Sequence, residues 1–187
     1  RGKIHEYLGM TIDYSTDGKV IIRMEQYVEE LLKDAPSDMV GEATTPAAEH
    51  LFKVNEDAMP LDLATSDIFH SITAKLLFLC KRARPDTQTP VAFLCTRVQK
   101  PDVDDYKKLS RVVCYLRGTK LLPLTLEAND LQIIQWWVDA SFAVHRDMRS
   151  HTGGTMSLGK GAIYSTSVRQ KLNTKSSTEA ELVGVDD

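Results

Sequence analysis

Trp136-Trp137-Val138-Asp139-Ala140-Ser141-Phe142 is the stretch on which the fold of this chain turns. Together with Ile133 and Ile134 before it, residues 133–138 are aromatic and β-branched, which is strand chemistry, and an acidic residue stands directly after them. Ser150-His151-Thr152-Gly153-Gly154 comes next. Residues 155–158 and 162–166 read as short strands joined by a turn at Gly159-Lys160-Gly161. Ser176 and Ser177 are N-cap candidates for a helix beginning Thr178-Glu179-Ala180-Glu181. From Leu131 onward the order is therefore strand, hairpin, strand, helix: a β-β-β-α unit.

Upstream, the pattern changes twice. Ile4, Leu8, Met10, Ile12 and Tyr14 follow the two-residue period of a half-buried strand, Ser15-Thr16-Asp17-Gly18 supplies a turn, and Val20, Ile22 and Met24 alternate again. Tyr27, Val28, Leu31 and Leu32 then take helical spacing up to Pro36. Residues 35–66, with Pro36, Gly41, Pro46 and Pro60, read as an irregular connection and a hinge. Three helices follow. The first buries Ile68, Ile72, Leu76, Leu79 and Ala83 and ends at Pro85. The second opens near Pro90, buries Val91, Leu94, Cys95 and Val98, and closes before Pro101. The third is capped by Asp102, buries Leu109, Val112, Val113 and Leu116, and stops at Gly118 in a left-handed terminating conformation. Residues 122–126 form a short strand before a boundary near Asn129-Asp130. The fold class is α+β.

Composition narrows the class without naming it. At 187 residues the chain holds one ordinary domain or two small or partial ones, and 42% hydrophobic with 26% charged residues is globular rather than disordered. No apolar run approaches the roughly 20 uninterrupted residues of a bilayer span, so no membrane partner is expected. Cys80, Cys95 and Cys114 sit in apolar helical patterns and read as buried thiols of a reducing compartment. The chain does not begin with Met, as a fragment or processed product would not. Charge is uneven: residues 1–80 hold 7 Lys/Arg against 14 Asp/Glu, residues 81–120 hold 10 against 4, and residues 121–187 hold 6 against 8. The basic middle block suits a phosphate backbone, and a solvated helix surface accounts for it equally well. Arg97, Lys100, Lys107, Lys108 and Arg111, with Arg169, Lys171 and Lys175 further on, are the candidate nucleic-acid contacts.

Asp139 is a candidate metal ligand at a strand end beside two small residues; alone, it is as well explained as a turn or cap. Glu179 and Glu181, in a first helical turn, are alone explained by the helix dipole. In combination they suggest more. Two divalent ions about 3.5–4 Å apart stabilise both the attacking and leaving oxygens of a phosphodiester, and hard carboxylate oxygens from separate elements are the ligands they need. Other motifs carry less. His5-Glu6-Tyr7-Leu8-Gly9 lacks the second His of a zinc-protease helix, and Leu158-Gly159-Lys160-Gly161 lacks phosphate-loop spacing. Asp139, Ser141, His145 and His151 have hydrolase residue types without a nucleophile-elbow glycine pattern. Of Trp136 and Trp137, one is expected to face the core.

A series of short motifs, in order, resembles the Pol polyprotein of copia-type LTR retrotransposons. Tyr7-Leu8-Gly9-Met10-Thr11-Ile12-Asp13 resembles the family's FLGM-x-I strand, and Met24-Glu25-Gln26-Tyr27 through Leu31-Leu32 its QE-x-Y-x-x-x-LL helix. Thr45-Pro46 is similar to a linker TP. Phe69-His70-Ser71 through Leu79, with Ala83-Arg84-Pro85-Asp86, resembles YRS-x-x-G-x-LLYL and TRPD. Leu116-Arg117-Gly118-Thr119 resembles YLKGT. Val138-Asp139-Ala140-Ser141, Arg149-Ser150-His151-Thr152-Gly153-Gly154, Arg169-Gln170-Lys171 and Ser176-Ser177-Thr178-Glu179-Ala180-Glu181 resemble the SDADWA, RSTSGY, KQK and SSTEAEY segments of the family's ribonuclease H.

The resemblance implies that residues 1–126 are the end of a reverse transcriptase (palm end, thumb and connection helices). Residues 127–187 are then a truncated ribonuclease H-like β-β-β-α unit. It implies Asp139 and Glu181 as catalytic and metal-binding acids, with Glu179 the alternative, and Mg²⁺ as cofactor. It further implies an RNA–DNA hybrid and the rest of the Pol polyprotein as partners, and an intracellular site, in a cytoplasmic virus-like particle or the nucleus. The departures matter too. The polymerase YVDD signature is absent, as are the family's third and fourth ribonuclease H acids, for which Asp186 and Asp187 follow Glu181 too closely to substitute. The isolated chain is therefore expected to be inactive, to bind Mg²⁺ weakly or not at all, and to have a loosely held C-terminal half with an exposed, aggregation-prone sheet edge. The alternatives are a non-catalytic nucleic-acid-binding remnant using the 81–120 helices, or a pseudogene product with no selected function.

Overall fold

The computed structural model describes residues 2–187, and the chain is mixed α and β in two compact units. One unit runs to Tyr7 and resumes over Thr11–Ile22 and Leu124–Asp187; the other holds Leu8–Met10 and Arg23–Pro123. The units thus do not follow chain order.

In the first unit, β1 (Ile4–Tyr7), β2 (Met10–Asp13), β3 (Lys19–Arg23), β4 (Leu124–Ala128) and β7 (Gly159–Lys160) form a sheet in the order β1-β2-β3-β4-β7. The single strand expected over residues 4–14 is broken in two. Leu8 and Gly9 take φ of 50° and 75°, the pair of left-handed residues that a two-residue hairpin turn needs, and the Tyr14 N–H donates to Lys3 O at 2.8 Å. β3 pairs antiparallel with β4, Lys19 opposite Glu127 and Ile22 opposite Leu124, and a 3.3 Å ion pair joins Lys19 to Glu127.

Residues 159–161 are also more than a turn. β7 lies against β4, Lys160 opposite Glu127. A Cβ on Gly161 (φ 77°) would sit 2.1 Å from Thr125 O, and one on Gly159 would sit 2.7 Å from Asn129 N. Only glycine admits so close a backbone approach.

A second sheet, β5-β6-β8, is built from β5 (Gln135–Ser141), β6 (His151–Ser157) and β8 (Tyr164–Arg169), all antiparallel. The strand expected at 133–138 begins and ends later, so Asp139 lies within it. Helix α5 (Ser177–Asp186) is seated on this sheet through Ala180 and Gly184, both buried. A Cβ on Gly184 would already be 3.4 Å from Val138 Cγ1 and 3.5 Å from Ala140 Cβ. The C-terminal end is therefore docked rather than loose.

The helical unit comprises α1 (Glu25–Asp34), α2 (Leu63–Cys80), α3 (Gln88–Arg97), entered by a 3₁₀ turn at Pro85–Thr87, and α4 (Val103–Gly118). Its core is Val28, Leu31, Phe69, Ile72, Leu76, Leu79, Val91, Leu94, Leu109, Val112, Val113 and Leu116. The buried face of α2 keeps the expected Ile72, Leu76 and Leu79, with Ala83 buried just beyond its end, but Ile68 is exposed and Phe69, Thr73 and Cys80 are inside as well. By length and composition α2 is apolar enough to cross a membrane, yet Asp67, His70 and Lys75 interrupt it and its apolar stripe packs in this core. α4 matches expectation at its start, where Asp102 and Asp105 form a capping box: the Asp105 N–H donates to Asp102 Oδ1 at 2.8 Å and the Asp102 N–H to Asp105 Oδ2 at 3.2 Å. At its end Gly118 remains helical, and Thr119 (φ −127°) makes the exit.

Residues 35–62 are pinned rather than hinged. Met39 and Leu51 are buried. The Tyr106 hydroxyl donates to Asp38 at 2.9 Å, Cys114 Sγ to Val40 O at 3.2 Å, Arg117 to Gly41 O at 2.9 Å and Arg111 to Thr45 Oγ1 at 2.8 Å. Four side chains of α4 thus hold the connection along its length.

Arg84, only 2% exposed, locks the start of the 3₁₀ turn to the end of α4. Its guanidinium donates to Asp86 at 2.7 Å and to both the carbonyl and hydroxyl oxygens of Thr119, at 3.0 and 2.7 Å. Removing Arg84 deprives the half-buried Thr119 acceptors and the partly exposed Asp86 of their donor, at a cost of about 1–3 kcal/mol. Arg84→Ala is expected to lower the free energy of unfolding by that amount and the urea midpoint with it, whereas Lys81→Ala, on an exposed side chain, should leave it within about 0.5 kcal/mol. Equal midpoints for the two variants in urea unfolding would contradict the clamp.

Candidate functional site

The pleat of β5 sorts the residues around Asp139. Val138 and Ala140 touch the α5 helix at Gly184, so the alternating Trp137, Asp139 and Ser141 point from the opposite face. On that face Asp139 stands opposite Gly153, which stands opposite Ser167, and Ser141 stands opposite His151. Asp139 is exposed and makes no hydrogen bond or ion pair among the described residues.

The two glutamates of α5 differ. Glu179 is used by the helix start: its Oε2 accepts from the Lys175 N–H at 2.6 Å, while its own N–H donates to Ser176 Oγ at 3.2 Å. The Ser176 hydroxyl thereby satisfies one donor otherwise left over at the helix N-terminus, and the Glu179 carboxylate holds the residue just before the cap. Glu181 is exposed and free of such bonds among the described residues. Asp139 and Glu181 are thus set on opposite sides of the sheet, and no group of three or more His, Cys, Asp or Glu side chains is placed to hold a metal ion among the described residues. The carboxylates present do not fit a two-ion cage.

Residues that sequence reasoning passed over hold this region together. Gln170 is fully buried. Its Nε2 donates to Thr152 Oγ1 at 3.0 Å and to Ala180 O at 2.8 Å, and Thr152 Oγ1 donates in turn to Asp187 Oδ2 at 2.8 Å. One amide therefore ties β6 to α5. Only its Oε1 lacks a partner among the described residues. A polar residue between two cations, Arg169 and Lys171, gave no periodic signal of burial.

On the Asp139 face, His145 and His151 are both buried, with His145 Nε2 3.0 Å from His151 Nδ1 and His151 Nε2 2.7 Å from Ser167 Oγ. Burial, then the neighbouring His145, pushes His151 down to about 4. Burial and then Arg169 push His145 down, against the opposing pull of Asp147. Asp147 also pairs with Arg149 and Arg169, each at 3.2 Å. Neither Trp is core: Trp136 is 54% and Trp137 52% exposed, and Trp136 rests edge-on against Tyr164 at 6.0 Å.

The candidate nucleic-acid contacts divide in the same way. Arg97 bridges Asp105 at 2.8 Å and Asp102 at 3.1 Å. Lys108 is buried, paired with Asp104 at 2.9 Å and 4.8 Å from the Phe93 ring. Arg111 is spent in part on Thr45, and Arg169 on Asp147. Lys100, Lys107, Lys171 and Lys175 are exposed and carry no ion pair among the described residues.

Three relatives align with nearly the whole chain. A putative transposon Ty5-1 protein of Saccharomyces cerevisiae is 26% identical over 97% of this chain and 59% of its own length. An uncharacterized mitochondrial protein of Arabidopsis thaliana is 29% identical over 96% of this chain and 73% of its own. The retrovirus-related Pol polyprotein from transposon TNT 1-94 of Nicotiana tabacum is 28% identical over 97% of this chain, which spans 14% of that polyprotein. No family model and no solved structure matches. These similarities support a copia-type Pol fragment, as the motifs imply.

Two outcomes test the local geometry. Gln170→Leu keeps the volume and removes both donors, an expected loss of about 1–3 kcal/mol, with hydrogen-exchange protection falling first in α5; protection unchanged there would refute the tie. His151, whose folded value is depressed, opposes folding as acid is added, because the unfolded chain binds the proton more readily. Stability should thus fall as pH drops from 6.5 towards about 4, and His151→Gln should flatten that slope in urea titrations. A wild-type slope in the variant would assign the acid sensitivity elsewhere.

Proposed function

We propose that the chain is a piece of a copia-type retrotransposon Pol protein. Residues 1–126 are the end of the reverse transcriptase and residues 127–187 the first part of a ribonuclease H-like domain. The observation that carries this is collinearity: nearly the whole chain aligns with a transposon Pol polyprotein, and the motifs keep that order. The strand–strand–strand–helix succession β5, β6, β8, α5 supports the second assignment. In the parent protein the activities are RNA-directed DNA synthesis and cleavage of RNA in an RNA–DNA hybrid. The partners are that hybrid and the remaining Pol segments, and the setting is a virus-like particle or the nucleus.

Within that proposal Asp139 and Glu181 are the two acids of the nuclease, and Glu179 is a capping residue. Carboxylates set on opposite sides of a sheet do not share an ion, so the chain by itself is inactive and takes Mg²⁺ weakly or not at all. A second reading has its own support in Lys100, Lys107, Lys171 and Lys175, exposed cations without an internal partner. They allow salt-sensitive binding to nucleic acid without cleavage.

Incubation of the chain with a labelled RNA–DNA hybrid and Mg²⁺ separates these readings. The expected outcome is no cleavage. Cleavage that Asp139→Asn abolishes would overturn the inactivity and assign the acid. Binding without cleavage that weakens as salt rises from 50 to 200 mM, with a shallower salt slope in Lys171→Gln/Lys175→Gln, would favour the binding remnant.

A further inference from the structure

A cavity of about 210 Å³ opens on the helical unit between the 46–51 segment and the first turns of α4, walled by Pro46, Ala47, His50, Asp104, Lys107 and Arg111, with Lys108 beside them. It is smaller than the roughly 300–1,000 Å³ of pockets for drug-sized ligands, so its occupant is a small group. Its charges do not cancel. The one carboxylate in the wall, Asp104, is taken by Lys108 at 2.9 Å, and Lys108 also donates to Lys53 O. Lys107 is exposed and has no ion pair among the described residues. Arg111 spends one Nη2 donor on the neutral hydroxyl of Thr45 at 2.8 Å, and its Nε is buried with no hydrogen-bond partner.

The Arg111 guanidinium thus has no anionic partner within the wall, and the Lys107 ammonium has none either. Two cations without counter-charge, one a planar fork and one a mobile ammonium, match a tetrahedral oxyanion carrying nearly two charges better than a carboxylate carrying one. We infer that this cavity binds a phosphate monoester group, free or at the end of a nucleotide. The site shares Lys107 with the nucleic-acid-binding reading but needs neither Asp139 nor Glu181, and failure to cleave a hybrid leaves it intact.

The test is a titration of the ¹⁵N-labelled full chain with inorganic phosphate at constant ionic strength, following the Arg111 Nε–H resonance and the amides of Ala47, Ala48 and His50. A saturable shift of these signals is expected, with affinity about tenfold weaker in Lys107→Gln, an exposed substitution that leaves the fold intact. A 5′-mononucleotide binding as tightly as phosphate assigns the site to the phosphate alone, and one binding more tightly assigns it to a nucleotide end. Either result supports the inference. It is overturned if no saturable shift appears, if acetate or chloride produces the same shift, if the unphosphorylated nucleoside binds as well as the nucleotide, or if Lys107→Gln binds like the wild type.

Discussion

The antiparallel pairing of β3 with β4 is the contact on which the rest is arranged. It brings Ile22 opposite Leu124 and Val20 opposite Leu126, so the whole intervening helical stretch leaves and returns at neighbouring strands. Closing a loop of about 100 residues costs on the order of 4 kcal/mol beyond a constant. Four cross-strand pairs worth roughly 0.2–1 kcal/mol each do not obviously cover that. The Lys19–Glu127 pair, a third exposed on both sides, adds little. The closure becomes favourable when the helices between the strands bury their own core, with Phe69, Leu76, Leu94, Leu109 and Leu116 inaccessible. β4 then supplies the edge on which β7 lies, and the glycines at 159 and 161 let it approach.

What could be read from the residues follows the range of the forces involved. Asp102, the 109–116 apolar stripe and the end at 118 were all visible because a helix is held by contacts three and four residues apart. The α+β class was equally plain from the switch between periods of two and 3.6. Long-range pairings left no such trace. Nothing in Val20-Ile21-Ile22 names Leu124-Thr125-Leu126 as its partner, and nothing in 35–62 announces that α4 will pin it. Where polar side chains carry the fold, as at Gln170 or the His145–His151 pair, hydropathy misses them altogether. Gly118 and Gly9 show the same limit on a small scale. A glycine permits a left-handed turn without requiring one, and only Gly9 takes it.

Several motifs that carry the family resemblance are, in this structure, parts of one another's support. Ala83-Arg84-Pro85-Asp86 and the Thr119 that closes Leu116-Arg117-Gly118-Thr119 meet in a single buried network. Arg84 bonds Asp86 and Thr119, and the Tyr115 hydroxyl donates to Asp86 at 2.8 Å. Arg169-Gln170-Lys171 contributes the amide that holds α5, and Ser176 caps that same helix. Short patterns of this kind report a shared fold more directly than a shared chemistry. A helix cap or a buried ion pair works regardless of what the surface does.

The acids around α5 make the distinction concrete. Ala180 and Gly184 are small because β5 and β6 lie against them, and Glu179 is acidic because the helix start needs an acceptor. Structural demand thus accounts for Glu179, Ala180 and Gly184, as it does for the cap Ser176. It leaves Glu181 unexplained, as it leaves Asp139 unexplained on the far face of β5. An exposed carboxylate with no partner among the described residues does little for the stability of this chain. The same holds for the exposed carboxylate of Glu181. The geometry that separates them is set by the pleat of β5 and the seat of α5. That seat leaves little room to shift, since a Cβ added at Gly184 would already lie 3.4 Å from Val138 Cγ1 and 3.5 Å from Ala140 Cβ.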